Sequence, residues 1–60
     1  MVGENIRKYR IEKGMTQIEL ANAVHISTPM MCQIERGTKS VSFNLAKEIA
    51  KVLEISIEML

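Results

Sequence analysis

Apolar positions along this chain come in short bursts at helical spacing, and each burst closes on a helix-stopping signal. Over residues 5–13, Ile6, Tyr9 and Arg10 fall on one face, and Gly14 follows as a left-handed terminator. Thr16-Gln17-Ile18-Glu19 sets a hydroxyl and a carboxylate three residues apart, the capping box in which each satisfies a free backbone N–H. Leu20, Ala21 and Val24 continue as an apolar stripe, so this second helix is expected to end near Val24. Ser27 caps a third helix, with Ile26 and Met31 at the two positions of a hydrophobic staple. Pro29 falls in its first turn, where a missing N–H costs little, Ile34 extends the buried face, and Gly37 closes it after Arg36. Ser42 caps a fourth helix carrying Phe43, Ala46, Ile49, Ala50 and Leu53. Ser56 caps a last, incomplete turn with Ile57, Met59 and Leu60. No stretch alternates with a period of two, and no Asn-Gly turn occurs. The expected fold is all-α, with five short helices in a single domain spanning residues 1–60.

Only Val24-His25-Ile26-Ser27 separates the second and third helices. Two helices joined by a turn that short form a helix-turn-helix, whose second member can enter the major groove of DNA. Ala21 permits close approach where the pair crosses. Helical hairpins also occur in proteins that never touch DNA, so the corner alone leaves both readings open.

Composition narrows the class. A 60-residue chain buries only about 60% of the surface its unfolded form exposes, so the core must be small and efficient. With 47% hydrophobic and 25% charged residues the balance is globular, and with Tyr9 and Phe43 the only aromatics the core is aliphatic. A single cysteine, Cys32, excludes an internal disulfide framework and fits a reducing compartment. No apolar run nears the ~18 residues of a membrane span, and no apolar signal segment follows Met1. His25 and Cys32 have no second His or Cys to complete a zinc site. No thiol–histidine pair with an orienting third group and no phosphate-cradling glycine loop is present, so an enzyme reading has no site.

The net charge of +1 says little until it is divided. Arg7, Lys8, Arg10 and Lys13 stand against Glu12 alone, whereas residues 39–60 balance three lysines with three glutamates. Arg36 and Lys39 make a second small basic group. Such patches steer DNA even on a near-neutral chain, and charged helix surfaces that only face water look the same.

The register of these residues then becomes specific. Thr16-Gln17-Ile18-Glu19-Leu20-Ala21, Ile26-Ser27, Ile34-Glu35-Arg36-Gly37, and Ala46, Ile49-Ala50 and Leu53 together resemble the Cro/C1-type helix-turn-helix family. That family comprises phage repressors, Cro proteins and Xre-like bacterial regulators, and the resemblance covers residues 3–60. It implies a compact five-helix, lambda-repressor-like domain whose second and third helices form the helix-turn-helix, with the third presented to operator DNA. It also implies an ion pair between Arg10 and Glu35 that ties the recognition helix to the first helix; as solvated surface charges the two would contribute only ~0–1 kcal/mol. The family usually has glycine where His25 stands, because the backbone there takes a positive φ that histidine tolerates at modest cost. The start of the recognition helix, with Thr28, Pro29, Met30 and Cys32, is less polar than in most members.

With Met31 and Ile34 buried and 100° per residue, Pro29 and Gln33 lie near the opposite face of the third helix, flanked by Thr28, Cys32 and Arg36. The amide of Gln33 suits the N7 and N6 of adenine, Thr28 can bond a base edge or a phosphate, and Pro29 and Met30 can press on a thymine methyl. An A·T pair is therefore expected under Gln33. The Gln17 amide beside free backbone N–H groups can hold a phosphate, and the family uses this position for backbone anchoring. Arg36, Thr38, Lys39, Ser40 and Ser42 are the remaining phosphate candidates, although the segment Thr38–Ser42 also reads as a plain polar loop.

These readings converge on a sequence-specific double-stranded DNA-binding regulator. It is expected to be a repressor of bacterial or phage origin, working in the cytoplasm without cofactor, metal or small-molecule substrate. Two copies would bind half-sites about one turn, ~34–36 Å, apart. Ile55, Ile57, Met59 and Leu60 are the expected homodimer contact, and equally they can complete the monomer's own core. Two alternatives stand beside this: an antitoxin that represses its own operon, and a protein-interaction module that keeps the fold without binding DNA.

Overall fold

A computed structural model describes residues 2–60. Four α-helices run in order, α1 (Val2–Glu12), α2 (Gln17–Ala23), α3 (Thr28–Arg36) and α4 (Phe43–Leu53), followed by a 3₁₀ turn at Ile57–Met59. The fifth helix expected from the sequence is therefore this turn. Ser56 caps it, its hydroxyl accepting from the Glu58 N–H at 3.4 Å, but three residues hold too few hydrogen bonds to propagate an α-helix. At the other end α1 begins at Val2, earlier than residue 5, with Glu4 in the first turn where the helix dipole favours an acid.

The helix starts follow the sequence signals. Thr16 accepts from the Glu19 N–H at 3.1 Å while Glu19 accepts from the Thr16 N–H at 2.8 Å, completing the capping box. Ser27 and Ser42 accept from the N–H groups of Met30 and Leu45 at 3.2 and 3.1 Å. The helix ends share one device. Gly14, His25, Gly37 and Glu54 all have φ between 59° and 84°, and the N–H of the residue after each reaches the carbonyl five before it, at 3.0 Å in every case. This left-handed closure satisfies carbonyls that the helix leaves free. His25 thus adopts the positive φ that the resemblance implies.

Ile6, Leu20, Ala21, Val24, Met31, Ile34, Ile49 and Leu53 form the buried cluster, with Tyr9, Met15, Ile26, Val41, Leu45 and Val52 packed around it. One helix sits at the centre of the arrangement: α3 packs on both α1 and α2. Phe43 departs from the buried stripe of α4 and is 68% exposed. It is the first residue of α4, and its ring lies 5.5 Å from the Lys47 ammonium. Ile55 and Leu60 pack against the core, whereas Met59 stays exposed.

Candidate nucleic-acid interface

Helix α3 buries Met31, Ile34 and Glu35 and turns its other side outward. Pro29, Gln33 and Arg36 are exposed and Thr28 and Cys32 half-exposed, and among the described residues no other element buries them. The angular estimate from sequence therefore holds for Pro29 and Gln33. Met30 is as half-exposed as Thr28 and Cys32, and part of it packs against the core.

The bearing of α3 is set by charge. Arg10 donates from Nε to Glu35 Oε2 at 2.8 Å and from Nη2 to Glu35 Oε1 at 3.1 Å, a two-pronged pairing with both residues buried. The third prong, Nη1, donates to the Met15 carbonyl at 2.9 Å. Gln17 joins the same group, its Nε2 donating to Glu35 Oε1 at 3.2 Å. Sequence reasoning missed this last link, because nothing local marks an amide at the start of α2 as the neighbour of a carboxylate on α3. One amide hydrogen of Gln17 is thus spent internally and the other remains. Among the described residues no buried side-chain nitrogen or oxygen lacks a partner, so the cluster is satisfied.

Beyond Gly37 the chain carries exposed Thr38, Lys39, Ser40 and Ser42 away from the end of α3. Thr38 closes α3: its N–H and its hydroxyl both donate to the Gln33 carbonyl, at 3.0 and 3.2 Å. Ser42 accepts from Leu45 and keeps its own O–H, while Lys39 and Ser40 make no side-chain hydrogen bond among those described. The arrangement offers an outward helix edge with an amide at its middle, flanked by cationic and hydroxyl groups.

A family model described as Helix-turn-helix matches residues 6–60. The chain belongs to the Cro/C1-type helix-turn-helix family. It is 40% identical over 58 residues to YazB of Bacillus subtilis, described as an uncharacterized HTH-type transcriptional regulator, covering 97% of this chain and 84% of that one. It is 38% identical over 56 residues to antitoxin PezA of Streptococcus pneumoniae, covering 93% of this chain and 35% of PezA. Among solved structures, SinR, a master regulator for biofilm formation crystallised in complex with DNA, superposes with a TM-score of 0.89 at 30% identity, over 97% of this chain and 94% of that one. This family and these relatives point to a DNA-binding transcriptional regulator.

Proposed function

We propose that this chain is a sequence-specific, repressor-type regulator that lays the exposed edge of α3 in the major groove of operator DNA as a homodimer. The observation that carries this reading is the open flank of α3, with Pro29, Gln33 and Arg36 outward and the opposite side locked to α1 by Arg10 and Glu35. Gln33 reads adenine through N7 and N6, and Thr28 and Pro29 address the neighbouring base edge and a thymine methyl. Gln17, Arg36, Lys39, Ser40 and Ser42 hold phosphates and fix the register of α3 on the duplex. The SinR complex with DNA supports the mode of binding. The setting is the cytoplasm, where the operator lies and Cys32 stays reduced.

One 60-residue module contacts too few base pairs for tight selectivity, which is the physical case for two copies. Of the apolar end, Ile55 and Leu60 are partly used by the monomer's own core, while Ile57 and Met59 remain for a partner. Beside them Val2, Val41, Phe43, Ala46, Ile57 and Leu60 line an apolar groove of about 420 Å³. Similarity to PezA favours a second reading, an autorepressing antitoxin, which would add a toxin partner to the same DNA face.

The test is selection of bound duplexes from a random pool. Enrichment of a site with two symmetric halves about one turn apart and an A·T pair at a fixed place in each is the expected result. Retention of DNA should fall steeply with salt, since each neutralised phosphate releases counterions. Enrichment of nothing, with no salt-dependent retention, leaves only the interaction module.

A further inference from the structure

A glycine inside a helix is a poorer choice than alanine, because it surrenders more backbone freedom and contributes no side chain. Gly3 is such a glycine, helical and buried in the first turn of α1. The space around it gives the reason. A methyl carbon built on its Cα would stand 2.2 Å from the Ile34 carbonyl oxygen, 2.9 Å from that of Glu35 and 3.1 Å from the Glu35 carbonyl carbon. All three are backbone atoms of α3, so no flexible side chain can move aside. A carbon settles about 3.3 Å from a carbonyl oxygen, so the added atom would drive the two helices apart by about 1 Å.

Gly3 and Arg10 are seven residues apart, two turns of α1, and so lie on one face about 10 Å from each other along its axis. Both act on the last half of α3. Arg10 grips the Glu35 side chain, and Gly3 lets the α1 backbone rest on the Ile34 and Glu35 carbonyls. Two turns of α1 thus converge on one turn of α3, and together they fix how close the end of α3 lies to α1. One of the carbonyls beneath Gly3, that of Ile34, belongs to the closure that holds the following loop. Ile34 accepts from the Gly37 N–H at 3.1 Å, and the neighbouring Gln33 carbonyl accepts from Thr38.

We propose that Gly3 is a positioning residue for base reading, acting through α3: its missing side chain sets how far the end of α3 stands from the core, and with it the placement of Gln33, Arg36 and the segment that follows. This rests on the DNA-reading function proposed above. Base readout tolerates misplacement of only about 0.5 Å, so a 1 Å displacement weakens base contacts while leaving loose attraction to phosphates in place.

The experiment compares wild type with G3A, with I49V as a core change on α4, and with a synthetic chain starting at Glu4, which removes the contact without adding an atom. Each is measured at one salt concentration against the duplex selected from the random pool and against a scrambled duplex. The expected result is that G3A and the shortened chain lose about ten-fold or more of the selected-to-scrambled affinity ratio, and that in G3A the amide resonances of Arg36, Gly37 and Thr38 shift. I49V should keep the wild-type ratio while lowering stability. A wild-type ratio in the shortened chain, or in folded G3A, overturns the proposal, as does an equal loss of ratio in I49V, which would reduce Gly3 to general stability. Failure of the wild-type chain to enrich any duplex removes the function on which the proposal rests, a different outcome from enrichment with an unchanged ratio in the variants.

Discussion

At the scale of single residues, the Arg10–Glu35 pairing shows how a charge can be both buried and silent. Two partners with three well-formed hydrogen bonds to the carboxylate, counting that from Gln17, offset the loss of water. Breaking one side is a different matter from removing both. R10M leaves the Glu35 carboxylate buried without its counter-charge, and we expect it to lose about 3–5 kcal/mol in chemical denaturation, enough to leave so small a domain largely unfolded. R10M combined with E35L should recover most of that loss. Equal instability in the single and double variants would show that the ion pair itself, and not the unpaired charge, carries the energy. Lys13 and Glu54 make the opposite kind of pair, fully at the surface, joining the end of α1 to the end of α4. The hydrogen bond from Lys13, and then its charge, hold the Glu54 carboxyl below the usual carboxylate range. A carboxyl lowered in the folded state adds stability above its unfolded pKa of about 4.3 and loses it as pH falls through the folded value. The acid limb of a stability–pH curve should therefore be shallower in E54Q than in wild type, with little difference between the slopes at neutral pH.

At the scale of elements, the helix ends are more uniform than their residues. The same left-handed closure is built on glycine after α1 and α3, and on His25 and Glu54 after α2 and α4. A side chain in that conformation costs about 1 kcal/mol, so H25G should stabilise the corner by about 0.5–1 kcal/mol and raise the melting temperature by several degrees. A lower melting temperature would mean that the imidazole makes a stabilising contact of its own. For α3, the outward edge makes the prediction that matters for function. Q33A should lose ~1–3 kcal/mol on the selected site and little on random DNA. Equal loss on both would make Gln33 a backbone contact. The boundaries of the helices were legible where a cap or glycine marks them, as at Thr16, Ser27, Gly37 and Ser42. They were not legible at Glu54, whose left-handed turn has no glycine to announce it. The early start of α1 was hidden as well, because a glycine disfavours a helix by propensity and only α3 lying against Gly3 gives it a reason to be there.

At the scale of the whole molecule, the domain measures only 24 × 20 × 18 Å, and its exposed apolar residues are where assembly would act. Phe43, Val2 and Ile57 line the groove described above, and Met59 is exposed on the same turn as Ile57. If a second copy docks there, F43K should hold the protein as a monomer in sedimentation at concentrations where wild type dimerises, and should weaken binding to a two-half site far more than to a single half-site. A wild-type protein that stays monomeric at high concentration, with and without DNA, removes the homodimer. The sequence left the apolar end undecided between core and contact, since Ile55, Ile57, Met59 and Leu60 have the same chemistry for either use. Three-dimensional packing divided them, drawing Ile55 and Leu60 inward and leaving Met59 outside.

What the sequence determined by itself is local in cause: helix starts written by hydroxyl caps, helix ends written by glycine, the short corner between α2 and α3, and the aliphatic periodicity that chooses which side of each helix is wet. These depend on hydrogen bonds and sterics reaching no more than five residues along the chain. Only the tertiary structure decided that Gln17 shares its amide with Glu35, that Met30 packs against the core, and that α1 can touch α3 because position 3 has no side chain. Each of these joins groups brought together by the packing of separate helices. No spacing rule along the chain encodes that meeting, because the distances are set by the volume of everything packed between.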